Sequence, residues 1–163
     1  MRRQAIFFFL LCPVLIAGHN SDLLEKASGW HTFVETSKFP AGTCSTEFFT
    51  LEKKVSQDND RVHLIRSFID YRFCIKKASI NAVERLSSRI LSHKISPPAL
   101  KPINFELRLN LMTRDLRTVQ KAIRSNQIDY GLKLLKNTEL NLIKLENDSP
   151  RRSGGKIVDY AEN

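Results

Sequence analysis

The residues best placed to do chemistry in this 163-residue chain are charges that interrupt apolar helical stripes. Arg72 and Lys76 fall between Phe68/Ile69 and Ile80, and Glu139 falls between Leu135 and Leu142. A charge in apolar surroundings is costly unless it is paired. Two arrangements meet that cost. Arg72 or Lys76 pairs with Glu139 across a bundle, or the long basic side chains reach its rim. Alternatively, the three charges line an interior polar pocket that takes an anionic small molecule. The sequence holds no Walker loop, GxSxG, HExxH or paired CxxC, the patterns that specify strong catalytic sites. His19, His31, His63 and His93 share no metal-ligand spacing, so neither a metal nor a cofactor is expected.

Apolar residues recurring at helical rather than strand spacing predict an all-α fold to position these charges. Helix A spans about Ser21 to Ser37, with Leu23, Ala27, Trp30 and Val34 on one face, and Pro40-Ala41-Gly42 breaks it. Helix B runs from Ser45 to Ser56 on Phe48, Leu51 and Val55. Gln57-Asp58-Asn59-Asp60 then makes a turn and supplies N-caps. Helix C, from about Asp60 to Lys94, carries two apolar faces. One holds Val62, Ile65, Phe68, Ile69, Phe73, Ile80, Val83, Leu86 and Ile90; the other holds Leu64, Tyr71, Cys74, Ile75, Ala78 and Ala82. Two apolar faces predict a central helix sandwiched between neighbours. Pro97-Pro98 and Pro102 end it. Helix D repeats Phe105, Leu109, Met112, Leu116, Val119 and Ile123 at heptad spacing, and helix E follows after Ser125-Asn126 with Ile128, Leu132, Leu135, Leu142 and Leu145.

The short links set the topology. Eight residues from Ile95 to Pro102 reach about 28 Å, whereas a helix as long as C measures about 52 Å. Helix D must therefore run back along C, giving a mainly antiparallel up-down bundle with one long central helix. A secreted cytokine-like or effector ligand is a further alternative, although helical cytokines use long crossovers that are missing here.

Met1-Arg2-Arg3, an apolar run from Ala5 to Ala17 and Gly18 have the form of a secretory signal, predicting a leader over 1–18. A helical domain over 19–147 and a flexible tail over 148–163 follow from the patterning. Removing the leader leaves 24 Lys and Arg against 17 Asp and Glu, a net +7, and an even pair of cysteines, Cys44 and Cys74. Export places that pair in an oxidising compartment, extracellular or periplasmic. Asn59 stands midway between them, so a hairpin there brings them into register, and a Cys44–Cys74 disulfide is expected. Beyond Asn147, the Asn147-Asp148-Ser149 acceptor pattern and Arg151-Arg152 are short motifs that arise easily by chance.

Composition narrows the function classes. With 42% apolar and 26% charged residues, the chain is not wholly disordered, and six glycines and six prolines exclude collagen-like material. The basic residues of helix C are spread around its circumference rather than gathered on one face, and export disfavours a nucleic-acid role further. No apolar stretch after the leader is long enough to anchor the mature chain in a bilayer.

Val34-Glu35-Thr36-Ser37-Lys38, Ile65-Arg66-Ser67-Phe68-Ile69-Asp70 and the Pro97-Pro98 loop before Leu107-Arg108 resemble the exported chorismate mutases in order and spacing. The resemblance covers about half the chain. It implies an all-α enzyme holding a dicarboxylate through Lys38, Arg72, Lys76 and Arg108, with Glu139 as a polar partner. Helix A lacks the arginine that family uses, Thr50 and Leu51 stand where another is wanted, and Phe73 replaces a polar residue.

Surplus apolar surface points elsewhere. Ile103, Leu107 and Leu111 lie opposite the seam of helix D, and Leu134 and Leu140 widen the stripe of helix E. Neighbouring helices could cover them, or they form a face for a protein partner or a homodimer. The leading expectation is thus a secreted or periplasmic helical protein that acts by binding and is not an enzyme, with the mutase-type pocket as the alternative.

Overall fold

A computed structural model describes residues 5–57 and 60–149, with side chains from Ser21 onward. The described chain is helical: α1 (Ala5–Thr36), α2 (Ser45–Gln57), α3 (Arg61–Ile95), α4 (Phe105–Arg124) and α5 (Ile128–Asn147), with no strand among the described residues. The side chains of the expected leader and of His19, the Asp58-Asn59 part of the expected turn, and the tail from Pro150, Arg151-Arg152 included, lie outside the described residues. Helix A is longer than expected, since its backbone is helical from Ala5 rather than from Ser21. Residues 5–18 include three leucines and two alanines, good helix formers, and the helix runs on through Pro13 and Gly18, which disfavour it by about 3 and 1 kcal/mol.

The chain divides into two compact units, Met1–Ala78 and Ser79–Asn163, with α3 contributing to both. In the first unit, α1 buries Ala27, Trp30 and Val34, α2 buries Phe48 and Leu51, and α3 buries Leu64, Tyr71 and Ile75. Aromatic rings fill the centre. Trp30 lies 5.8 Å from Phe68 and 6.3 Å from Tyr71, and Phe48 lies 5.6 Å from Tyr71. The Tyr71 hydroxyl donates to the Ala27 carbonyl at 3.1 Å, which satisfies the one polar atom this ring brings into the core. Burial pushes the Tyr71 phenol far above its ordinary range, and the carboxylates of Glu35 and Glu47 add to the shift, so it remains a donor.

Between α1 and α2 the chain turns at Pro40-Ala41-Gly42, where Gly42 has φ 73°, and the amides of Thr43 and Ser45 donate to the carbonyls of Pro40 and Gly42. Cys44 follows and is bonded to Cys74, with 5.8 Å between their Cα atoms. The bridge joins the start of α2 to a residue well inside α3, so the two helices run antiparallel. Asp60 caps α3, its Oδ1 accepting the Val62 amide at 2.9 Å and its carbonyl accepting the Leu64 amide at 3.1 Å.

The expected sandwich does not form in this unit. On the first apolar face of α3, Val62, Ile65, Ile69 and Phe73 are exposed, and only Phe68, turned toward Trp30, is partly covered. The reason is geometric: α1 and α2 both pack on the side that holds Leu64, Tyr71, Cys74 and Ile75. In the second unit the same helix buries Ala82, Val83, Leu86 and Ile90.

The second unit is organised around the α4/α5 hairpin. The whole heptad seam of α4, from Phe105 to Ile123, is buried, as are Ile128, Leu132, Leu135, Leu142 and Leu145 of α5. The turn closes through Asn126 at φ 65°, a conformation asparagine tolerates, and the Gln127 amide donates to the Ala122 carbonyl at 2.9 Å. Gly131 sets the spacing beyond it. A Cβ there would meet Ile123 Cδ1 at 2.6 Å and Cγ1 at 2.9 Å, so glycine lets the two helices approach.

Candidate functional site

The most exposed apolar surface of the second unit lies where the proline loop enters α4. Ile103 is 88% exposed, Leu107 55% and Leu111 40%, and Leu100 in the preceding loop is exposed as well. The helical repeat sets Leu107 and Leu111 opposite the buried seam of Leu109, Met112 and Leu116, whereas Ile103, expected on the same helix face, lies in the loop before α4, cut off from the helix by Asn104 at φ 60°. Because α5 takes the seam side, the ridge is left without cover. Leu140 of α5 is exposed, and Leu134 is half-buried.

The residues of the mutase-type pocket fall as follows. Lys38 is exposed, whereas Arg72 and Lys76 are half-buried on α3 in the first unit. The stripe they interrupt is the one left open to solvent there, so they are not charges sealed in a core. Arg108 and Glu139 belong to the second unit. Arg108 Nη1 binds Asp148 Oδ2 at 3.1 Å, just past the end of α5. Glu139 is half-buried and nine residues earlier on α5, about 13.5 Å along the helix from that pair. Arg108 and Glu139 are thus not brought together. The buried polar position in the stripe of α5 is Thr138, whose hydroxyl donates to the Leu134 carbonyl at 2.9 Å.

A polar cluster that sequence reasoning missed ties α3 to α5. Glu146 Oε2 accepts from Arg89 Nη2 at 2.6 Å, and its Oε1 lies 3.0 Å from Nε2 of the buried His93. Partial burial works to raise the Glu146 carboxyl, but the hydrogen bonds and charges of His93 and Arg89 outweigh it and hold the group below its ordinary value of 4.5. The available signal was the i, i+4 spacing of Arg89 and His93 beside Leu86 and Ile90. His93 also lines a cavity of about 240 Å³ with Lys94, Lys101, Phe105, Glu106 and Asn110. Its cations are engaged: Lys94 donates to Asn110 at 2.9 Å, and Lys101 lies 3.4 Å from Glu106.

In the first unit, His31 is buried and stacks on Phe48 with ring centroids 4.0 Å apart, its Nε2 3.2 Å from Glu35. His63 lies 3.0 Å from Asp60 on the surface. Among the described residues, no group of three or more His, Cys, Asp or Glu could hold a metal ion, and no helix is long and apolar enough to cross a membrane. Comparison with protein-family models, with characterised proteins and with solved structures finds no match to this chain.

Proposed function

We propose that this is an exported, non-enzymatic binding protein that engages a protein partner, or a second copy of itself, through the outer face of α4. The observation that carries the reading is the exposure of Leu107 and Leu111 on α4 and of Ile103 in the loop just before it. Leu107 and Leu111, one turn apart on α4, with Ile103 in the loop that leads into it, form an uncovered apolar surface of the kind that marks interaction sites. The rigid α4/α5 pair keeps the ordering cost of binding low. Export is supported by the charged and apolar N-terminal sequence together with the Cys44–Cys74 bridge, which suits an oxidising compartment. The mutase-type alternative has weaker support, because Arg108 is engaged by Asp148 and stands apart from Glu139.

The test is the double substitution Leu107→Asp and Leu111→Asp. Both side chains are exposed, so the hairpin should keep its helicity, with stability changed by about 0.5 kcal/mol or less per site. Self-association is followed by sedimentation equilibrium, and partner capture by cross-linking in the secreted fluid. Loss of either with helicity intact supports the reading. If both persist unchanged in the double variant, this face is not the binding surface.

A further inference from the structure

The first unit carries a second uncovered apolar face, on α3, independent of the α4 ridge. Val62 and Phe73 are 73% and 69% exposed, and Ile69 and Ile65 are 47% and 41% exposed. At 100° per residue these four fall within a sector of about 80°, forming one straight stripe about 16 Å long. Among the described residues, α1 and α2 meet α3 from the other side: Trp30 against Phe68, Phe48 against Tyr71, Ala27 on the Tyr71 hydroxyl and Cys44 on Cys74.

The charges around the stripe are of nearly one sign. Arg66 and Lys77 border one edge, Arg61 and Arg72 border the other, and Lys76 lies within it. Asp70 is the sole acid between residues 61 and 78. The exposures amount to on the order of 400 Å² of apolar surface, a size at which an uncovered patch on a monomer is commonly functional. An apolar ridge with basic margins is the form of a helix lying in the interface of an anionic bilayer: the apolar side chains enter the acyl boundary and the long cations reach back to the headgroups. A second copy is a poor occupant, since it would bring five more cations against these five. A grooved protein partner fits less well than a plane, because the stripe projects as a convex ridge and lines none of the cavities at residues 34–43, 87–116 or 93–110. The helix is already folded and held by the Cys44–Cys74 bridge, so binding need not order it.

We infer that the outer face of α3, through Val62, Ile65, Ile69 and Phe73 with Arg61, Arg66, Arg72, Lys76 and Lys77, docks peripherally on an anionic phospholipid surface. The experiment is co-sedimentation of the full chain as secreted, its N-terminus fixed by mass, with phosphatidylglycerol–phosphatidylcholine vesicles and with phosphatidylcholine vesicles alone. The chain should pellet with the anionic vesicles only, and added salt should release it. Arg66→Gln with Lys77→Gln should lower the partition coefficient about thirtyfold, the usual effect of removing two cations from an anionic surface. Phe73→Glu should abolish pelleting. All three sites are exposed, and circular dichroism with Trp30 fluorescence checks that each variant remains folded. Leu107→Asp with Leu111→Asp should leave vesicle binding unchanged, which separates this inference from the α4 reading. Failure to pellet with anionic vesicles, equal pelleting with neutral ones, or retention undiminished by Phe73→Glu would each overturn it. Saturable binding of a synthetic Glu/Leu amphipathic helix, lost in Phe73→Glu and without any vesicle binding, would overturn it in favour of an acidic protein partner.

Discussion

Replacing Cys44 and Cys74 together by alanine removes a cross-link spanning 30 residues of sequence. Loop-closure entropy for that span predicts a loss of about 3.6 kcal/mol, which raises the unfolding equilibrium constant about 400-fold. The readout is local. Trp30 is the only tryptophan, is 5% exposed and packs against Phe68 and Tyr71 of α3, in the same unit as the bridge. Urea unfolding followed by its fluorescence should show a lowered midpoint for the double-alanine variant, and the wild-type chain under reducing conditions should fall close to it. Agreement between those two curves separates the cross-link from the side chains, because reduction leaves both sulfurs in place. A loss below about 1 kcal/mol would refute the argument that the bridge acts by restricting the unfolded chain. A loss well above 5 kcal/mol would also refute it, by placing the cost in native packing around the buried Cys44.

Two further perturbations address the second unit. Glu146→Gln should destabilise it by about 1.5–3 kcal/mol at neutral pH, the range for hydrogen bonds to a charged group. The folded carboxyl titrates below its ordinary value of 4.5, so its contribution is fully present above that value and is lost as the pH falls through the folded pKa. Urea midpoints of wild type and variant should accordingly converge in acid; a gap that persists there would show that the Glu146 charge is not what stabilises the cluster. Gly131→Ala should cost about 1–2 kcal/mol net, the strain of overpacking set against the better helix propensity of alanine. In an Ile123→Val background, which removes the atom 2.6 Å from the new Cβ, the same substitution should cost less; thermal melts showing equal costs in both backgrounds would refute the close-approach argument.

How legible each element was follows from what covers it. The heptad seam of α4 and the stripe of α5 could be read residue by residue, because in an αα-hairpin the facing helix is the sequence neighbour and the apolar side must turn inward. The cysteine pairing was legible for the same reason: two residues at equal distances from a turn meet when the hairpin closes. The Arg89–His93–Glu146 cluster was not legible. Glu146 lies more than fifty residues from both Arg89 and His93, and a His in an apolar stripe does not announce which carboxylate will reach it. Glu139 was misleading in the opposite way. The buried line of α5 runs through Thr138 rather than Glu139, a shift of one residue that turns an interior charge into a half-buried one.

Helix α3 shows why an apolar face in sequence does not identify its occupant. Both of its faces satisfy the same helical spacing, and spacing alone predicts cover for both. Coverage depends on what the rest of the chain can supply. In the first unit, the Cys44–Cys74 bridge and the Tyr71–Ala27 hydrogen bond commit α2 and α1 to one side of α3. The other side therefore stays open, and with it Arg72 and Lys76, whose position in an apolar stripe reads as a buried anomaly only if that stripe is buried. Once it faces outward, the same charges become the margin of a surface, and the cost that suggested an interior pocket is removed. Chemistry inferred from misplaced charges is only as secure as the burial assumed for the stripe around them. Here that assumption fails over residues 62–73, and the functional question moves from a pocket to a face.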